Sequence, residues 1–447
     1  MTAPQDRGHG QGQGDPARDR DRHGWQPTMA HLRAVTIAMA GALAAVLWRR
    51  ADLLVLASPF AAVVAWSLLT RPTATPALTA GIDDHVLTEG DVTTWRAELA
   101  GADGMDVVVA AMPPTGWVDR RPASGVASGT AVRGHATISV VVGSTRWGRR
   151  TVDPVPVVAT SAWAAFRWTT VSPLASLTTL PLATGFDARA AFHPSDGLVG
   201  VNRSVRAGEG SEFASVRPFQ PGDRLRNINW PRSSRAGALQ VSATWADQDT
   251  HVVLVVDASS EVGRSEGIGG RPSSLDTTVR AAAAIAEHYA LRGERVSLRV
   301  LGSTSLPIVP AASGRAHLRR VLEALTLIKP PTGRAGRGFD LRLLHSTGQV
   351  LAVMLSPLVT TDALDAAVTI GRHGSTVAVV DTLPADLGHR DVNAELAWRI
   401  RLLERRNELR AVQELGVPVI RWRGPDSLDA FLRDVARRAQ APRMRVR

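Results

Sequence analysis

The residues best placed to do chemistry follow an apolar run: Val-Val-Leu-Val-Val-Asp257-Ala258-Ser259-Ser260-Glu261. An acid and hydroxyls directly after a buried strand supply part of the oxygen shell that a hard divalent cation such as Mg²⁺ takes. The competing role is structural, with the Asp257 carboxylate accepting from the turn that follows it. A second concentration precedes this strand: Glu212-Phe213, Arg217, Pro221-Gly222-Asp223, Arg226, Asn229-Trp230, Ser233 and Arg235. Pro221-Gly222-Asp223 reads as a tight turn. Arg217, Arg226 and Arg235 are spaced so that one or more forks onto Glu212 or Asp223. Trp230 is expected to anchor the stretch against a sheet, its ring N–H on an acceptor. The stretch reads as a clasp, with a docking surface as the alternative.

Signals for catalysis are sparse, and no catalytic residue is assigned. The sole lysine, Lys329, precedes Pro330 and forms no phosphate-binding motif. Gly333–Gly338 is glycine-rich without joining a strand to a helix. His288, His317, His345 and His373 share no ligand spacing. A Ser-His-Asp triad is spatial, so a hydrolase stays open as an alternative. No cysteine occurs, which removes thiolate zinc sites, disulfides and cysteine nucleophiles together.

The elements that must position these residues change along the chain. Residues 1–30 are expected to be a disordered polar tail. Within 31–70, two uncharged runs, Ala34–Trp48 and Leu53–Leu69, flank Arg49-Arg50-Ala51-Asp52 and read as a two-span membrane hairpin. Arginines in the tail and at Arg71 favour both ends in the cytoplasm of a cell-membrane protein. Residues 77–182 read as a β-rich, sandwich-like domain with strands at Met105–Met112, Ala136–Val142 and Val152–Val158. Ser161–Leu182 is left unassigned. Residues 187–249 hold the clasp.

From 250 to 440 apolar strands alternate with helices, which predicts a Rossmann-like α/β domain covered on both faces. The strands are His251–Asp257, Val296–Leu301, Val350–Leu355, Thr376–Asp381 and Val417–Trp422. The helices are Leu275–Leu291, His317–Leu327, Asp362–Arg372, Val392–Leu415 and Ser427–Ala439. Helix Val392–Leu415 is expected to pack an apolar side of Leu396, Ile400 and Leu403 and to show its arginines outward.

The 447 residues carry 52 Lys and Arg against 41 Asp and Glu. Aromatic residues are only 5%, so nothing resembles the basic, aromatic groove of a nucleic-acid binder, and no nucleic-acid partner is expected.

The loop after Val256 resembles the metal-ion-dependent adhesion site of von Willebrand factor type A domains. Asp257 and Ser259 match its Asp-x-Ser-x-Ser pattern and Glu261 departs from it. That resemblance implies a threonine from a later loop, for which Thr332 is the candidate, and an aspartate where Ser356 stands. The order Glu212-Phe213, Arg217, Pro221-Gly222-Asp223, Arg226, Asn229-Trp230, Ser233 and Arg235, with a strand ending Asp-x-Ser, resembles the domain-of-unknown-function 58 family over most of residues 30–440. Membership implies a membrane-anchored, multidomain protein with a type A-like C-terminal domain, often paired with MoxR-type AAA+ ATPases. The function expected is a non-catalytic scaffold needing no cofactor. A divalent-cation-dependent binder, with Mg²⁺ at a degenerate site, is the second reading. The oligomeric state is not legible.

Overall fold

The computed structural model describes residues 24–183, 207–220, 223, 225–245, 251–302, 308–329, 350–372, 376–385, 392–415 and 417–423. Backbone contacts divide the chain into two units, Met1–Thr145 with Arg149–Thr178, and Arg146–Gly148 with Thr179–Arg447.

In the first unit, the two uncharged runs become helices α1 (Met29–Trp48) and α2 (Asp52–Leu69). Both are long and apolar enough to be candidate membrane spans. Leu43, Val46, Leu47, Leu54, Val55 and Leu56 all point outward, so the described protein leaves an apolar belt uncovered. Thr28 caps α1 by accepting from the His31 N–H, and Arg49 turns the chain in the left-handed region. The helices touch where Gly41 meets Ala57, a Cβ on residue 41 falling 2.6 Å from the Ala57 Cβ. Small residues allow such backbone approach between apolar helices. Gly41→Leu is therefore expected to cost about 1–3 kcal/mol by overpacking, read as a lowered thermal midpoint of the detergent-solubilised protein.

The expected tail is ordered from residue 24 onward, and residues 1–23 lie outside the described residues. Trp25 is buried and donates its ring N–H to the Ala74 carbonyl (2.8 Å). Strand β1 (Gln26–Pro27) pairs antiparallel with Phe166 and Arg167. The apolar indole and the paired backbone supply what composition alone did not reveal.

The β-rich part contains β2 (Ala77–Ile82), β3 (Val86–Thr88), β4 (Val92–Ala100), β5 (Met105–Ala111), β6 (Val118–Arg121), β7 (Val126–Thr130), β8 (Ala136–Ser144), β9 (Gly148–Val152), β10 (Pro156–Ser161), β11 (Phe166–Val171) and β12 (Ala175–Leu180). Two antiparallel sheets, β1-β11-β10-β5-β7 and β2-β4-β8-β6, contribute to one core with the smaller sheet β3-β12-β9. Alternate residues of β4 and β8 are buried, among them Trp95, Leu99, Ile138 and Val140. The run Val152–Val158, expected as one strand, is two, because Pro154 falls in the break between β9 and β10. Ser161–Leu182 supplies β11 and β12.

The second unit opens with a long hairpin, β13 (Ala207–Pro218) against β14 (Gln240–Trp245), which encloses helix α3 (Trp230–Ala236). The sheet that follows has the order β17-β16-β15-β18-β19-β20. Its members are β15 (His251–Asp257), β16 (Arg295–Leu301), β17 (Val309–Ala312), β18 (Val350–Ser356), β19 (Thr376–Asp381) and β20 (Val419–Arg421). All pairs are parallel except the edge pair β16–β17. The connecting helices are α4 (Ser274–Leu291), α5 (Arg315–Leu325), α6 (Thr361–Arg372) and α7 (Val392–Glu414). Alternate residues of β15 enter two cores: Val252, Leu254 and Val256 pack with α4 and α5, and Val253 and Val255 with residues of α6 and α7. A parallel sheet buried on both faces explains its continuous apolar strands. The helix expected at Ser427–Ala439 lies outside the described residues.

Helix α4 starts at a capping box, Ser273 and Asp276 exchanging bonds with each other's backbone. Near its end, burial pushes the His288 imidazole down to about 4, assisted by the Arg292 charge. The unfolded chain therefore binds a proton that the fold refuses. This contribution is complete above pH 6.5 and disappears as pH falls toward 4. About 2 kcal/mol is at stake once solvent screening is allowed for. His288→Leu is expected to flatten this acid limb in thermal unfolding between pH 7 and 4.

Candidate functional site

Strand order places the site. The chain leaves β15 for β16 on one side and returns to β18 on the other, so the carboxyl ends of β15 and β18 flank a topological switch point, where open α/β sheets collect ligands. Asp257 ends β15 and Ser356 ends β18.

Asp257 is 1% exposed and its carboxylate is fully engaged. One oxygen accepts from the Ser259 N–H (2.9 Å) and the Ser259 hydroxyl (2.5 Å). The other accepts from the Ser356 hydroxyl (2.5 Å), whose oxygen in turn accepts the Leu358 N–H (2.9 Å). The acid thus organises both loops. Gly302, at the end of β16, makes this loop possible: with φ +98° it leaves no room for a Cβ, which would lie 2.6 Å from the Ser259 Cα. Gly302→Ala is expected to cost about 2 kcal/mol or more, measured by urea unfolding.

Two further groups surround this core. Asp381, ending β19, accepts from Leu383 N–H (3.0 Å) and from the Arg405 guanidinium (2.5 Å). Arg405 also donates to the carbonyls of Pro357 (3.0 Å) and Leu358 (3.2 Å), fastening the β18 loop from α7. On the other side, Arg146 donates to Glu261 and to Asp276, both at 2.6 Å, and Ser273 donates to the same Glu261 oxygen (2.6 Å). Two hydroxyls are left over. Ser260 Oγ and Thr360 Oγ1 are buried with no hydrogen-bond partner among the described residues. Each sits in the loop after one of the two switch-point strands.

Of the sequence-predicted metal ligands, Asp257 and Ser259 are joined directly, and Thr332 lies outside the described residues. Ser356 takes the place expected of an aspartate and gives a hydroxyl instead of a charge. Glu261 is turned to Arg146. The described residues therefore supply one carboxylate and two hydroxyls, a short set for a Mg²⁺ shell of six oxygens. Among them no three His, Cys, Asp or Glu lie together as a metal site.

The clasp residues fall into a separate group. Arg217 forks onto Asp223 with both terminal nitrogens (2.8 and 2.6 Å), holding its carboxyl below the usual range, assisted by the Gln220 N–H. Asn229 caps α3 by accepting the Arg232 N–H, and Ser233 bridges Asn229 O and Gln240 N–H at 2.8 Å each. Trp230, expected to be an anchor, is exposed at the first position of α3, and Ile228 and Val241 are buried instead. Arg235 is exposed in the last turn of α3. Glu212 and Phe213 lie on β13, Pro221 and Gly222 outside the described residues, and Arg226 in a short 3₁₀ turn.

Helix α7 also differs from expectation. Leu396, Ile400 and Leu403 are exposed, whereas Arg405 and Val412 are buried. The inward face is selected by the Arg405–Asp381 pair, which an apolar count passes over. Arg146, Asp381, Arg405 and Asp276 were missed. The Ser273-x-x-Asp276 pattern signals the capping box in advance, while Arg146 is separated from its partners by more than 100 residues.

Residues 215–411 match the family model "Protein of unknown function DUF58". The DUF58 match runs from the clasp to the last turn of α7 and takes in Asp257, Ser356, Asp381 and Arg405. It is narrower than the resemblance read from sequence, leaving the hairpin and the β-rich part outside. Two uncharacterized proteins, from Mycobacterium tuberculosis and Mycobacterium bovis, are 30% identical over 143 residues, 32% of this chain and 44% of theirs. The chain thus spans less than half the length of these curated relatives. A protein of unknown function from Porphyromonas gingivalis W83 aligns at 14% identity over 24% of this chain and 47% of that one, with a TM-score of 0.17, too low to bear on the fold.

Proposed function

We propose that this is a membrane-anchored, non-catalytic binding protein whose second unit is a von Willebrand type A-like domain that docks a protein partner at the switch-point face. The observation that carries this reading is the pair of unpartnered hydroxyls, Ser260 and Thr360, beside an acid engaged by its own loops. Buried polar groups without a partner at a switch point fit a ligand that completes them when the loops holding them part. The acid itself, held by two hydroxyls and an N–H, shapes the loops. The partner proposed is a MoxR-type AAA+ ATPase, with the hairpin in the cell membrane and the second unit on the cytoplasmic side, which the arginine distribution favours.

The test is co-purification of the detergent-solubilised protein from its native host, wild type beside Ser260→Arg and beside Arg319→Glu on the exposed side of α5. Recovery of an AAA+ ATPase with wild type and Arg319→Glu, and its loss with Ser260→Arg, is the expected result. No ATPase with wild type would sink the partnership, and recovery by all three would move the interface elsewhere.

The converging oxygens of Asp257, Ser259 and Ser356 are what favours the divalent-cation reading, but their single charge argues against a resident ion. Millimolar MgCl₂ is expected to leave the thermal midpoint unchanged. A rise that Asp257→Asn abolishes would restore that reading.

A further inference from the structure

Where α2 ends, the first unit forms a cleft of about 570 Å³ lined by Trp66, Thr70, Gly104, Met105, Asp106, Ala162 and Trp163. Its volume is in the range of small-molecule sites. Three properties define what it would take. Trp66 and Trp163 are 57% and 69% exposed, so two indoles face the cleft or its mouth without being used in the core. Asp106 is the one charged side chain of the lining, and among the described residues its carboxylate has no hydrogen-bond or ion-pair partner. Trp163 is also held at φ +60°, followed by Ala164 at +50°. A bulky residue in the left-handed region is an outlier, and here it keeps an aromatic ring outside the fold.

An acid beside two indole faces selects a cation: the carboxylate supplies the charge and hydrogen-bond acceptors, and the rings attract positive charge through their quadrupole. Trp66 belongs to the last turn of a candidate membrane span and Thr70 is its C-cap residue. That is the depth at which tryptophans sit in lipid headgroups. The next residue, Arg71, holds its guanidinium over the Phe166 ring (5.0 Å), a positive charge adjacent in the chain to the cleft. An ammonium on Asp106, presented at the depth of lipid headgroups, describes the amine end of a zwitterionic headgroup. We infer that this cleft binds the amine headgroup of phosphatidylethanolamine. The inference rests on the membrane-spanning reading of α1 and α2, and goes beyond it in naming a lipid and its site.

The test is native mass spectrometry of the full-length protein released from detergent after incubation with equal amounts of phosphatidylethanolamine, phosphatidylcholine and phosphatidylglycerol of one acyl composition. Phosphatidylethanolamine should be retained over phosphatidylglycerol by about tenfold, and Trp163→Ala and Asp106→Asn should each remove most of that preference. If Trp163→Ala loses the fold, Asp106→Asn, isosteric and exposed, decides. Equal retention by wild type and Asp106→Asn overturns the site, as does a preference for phosphatidylglycerol. A preference for phosphatidylcholine overturns the primary amine as the recognised group. Carbonate washing of native membranes separately reads the spanning assignment: release of the protein would overturn that assignment, while the lipid preference in micelles is measured independently of it.

Discussion

Arg405→Met is expected to lower the stability of the second unit by about 3–5 kcal/mol, because it leaves the buried Asp381 carboxylate without its counter-charge. Both side chains are only 9% exposed. The guanidinium also holds the Pro357 and Leu358 carbonyls, so the loop after β18 loses its attachment to α7 in the same step. Domains of ordinary size have about 5–15 kcal/mol in total. Urea unfolding should therefore show a much lower midpoint, with little change in slope if the unfolded state is unaltered. Adding Asp381→Asn should recover part of the loss, since the uncompensated charge is then gone. A single variant with near-wild-type stability would show that water reaches Asp381 and that the pair is not buried in solution.

Arg146→Met is expected to have an effect of the same order, about 3–5 kcal/mol. The guanidinium is shared by two acids, Glu261 and Asp276, of which Asp276 has no exposed side-chain surface. Asp276 also belongs to the cap of α4, so its charge cannot turn to water without undoing the start of that helix. Arg146→Lys should restore only part of the loss, because one ammonium does not reproduce a planar fork between two carboxylates. The decisive measurement is a double-mutant cycle between Arg146→Met and Glu261→Gln. A coupling energy near zero would mean that the two charges are separately solvated.

The alternation of apolar strands and helices made most of the second unit legible, and β15 and β19 have the bounds that the apolar runs suggest. Such strands are readable because a sheet covered on both faces needs no polar residue. The antiparallel edge strand β17 was not seen, since Val309–Ala312 is short and half-exposed. Of the site, Asp257 and Ser259 are visible as local sequence, and so is the structural role of the carboxylate, which accepts from the turn after it; its bond to Ser356 is not. Whether a carboxylate meets a cation or its own hydroxyls depends on Ser356, 99 residues away. Arg146 and Arg405 were invisible for a related reason. Arginine is so frequent in this chain that one buried guanidinium does not stand out from the solvated majority.

The pairing of β1 with β11 sets an order of events during synthesis. Thr28 donates its hydroxyl to the Ala164 carbonyl, 136 residues further on. Residues 26–27 must therefore remain without a partner while both apolar helices and nine intervening strands are made. The edge of the largest sheet in the first unit closes only when the ribosome has delivered Phe166 and Arg167. Until then β11 and β1 are each an open template for other strands. Strand β1 is thus the last piece of its sheet to be put in place.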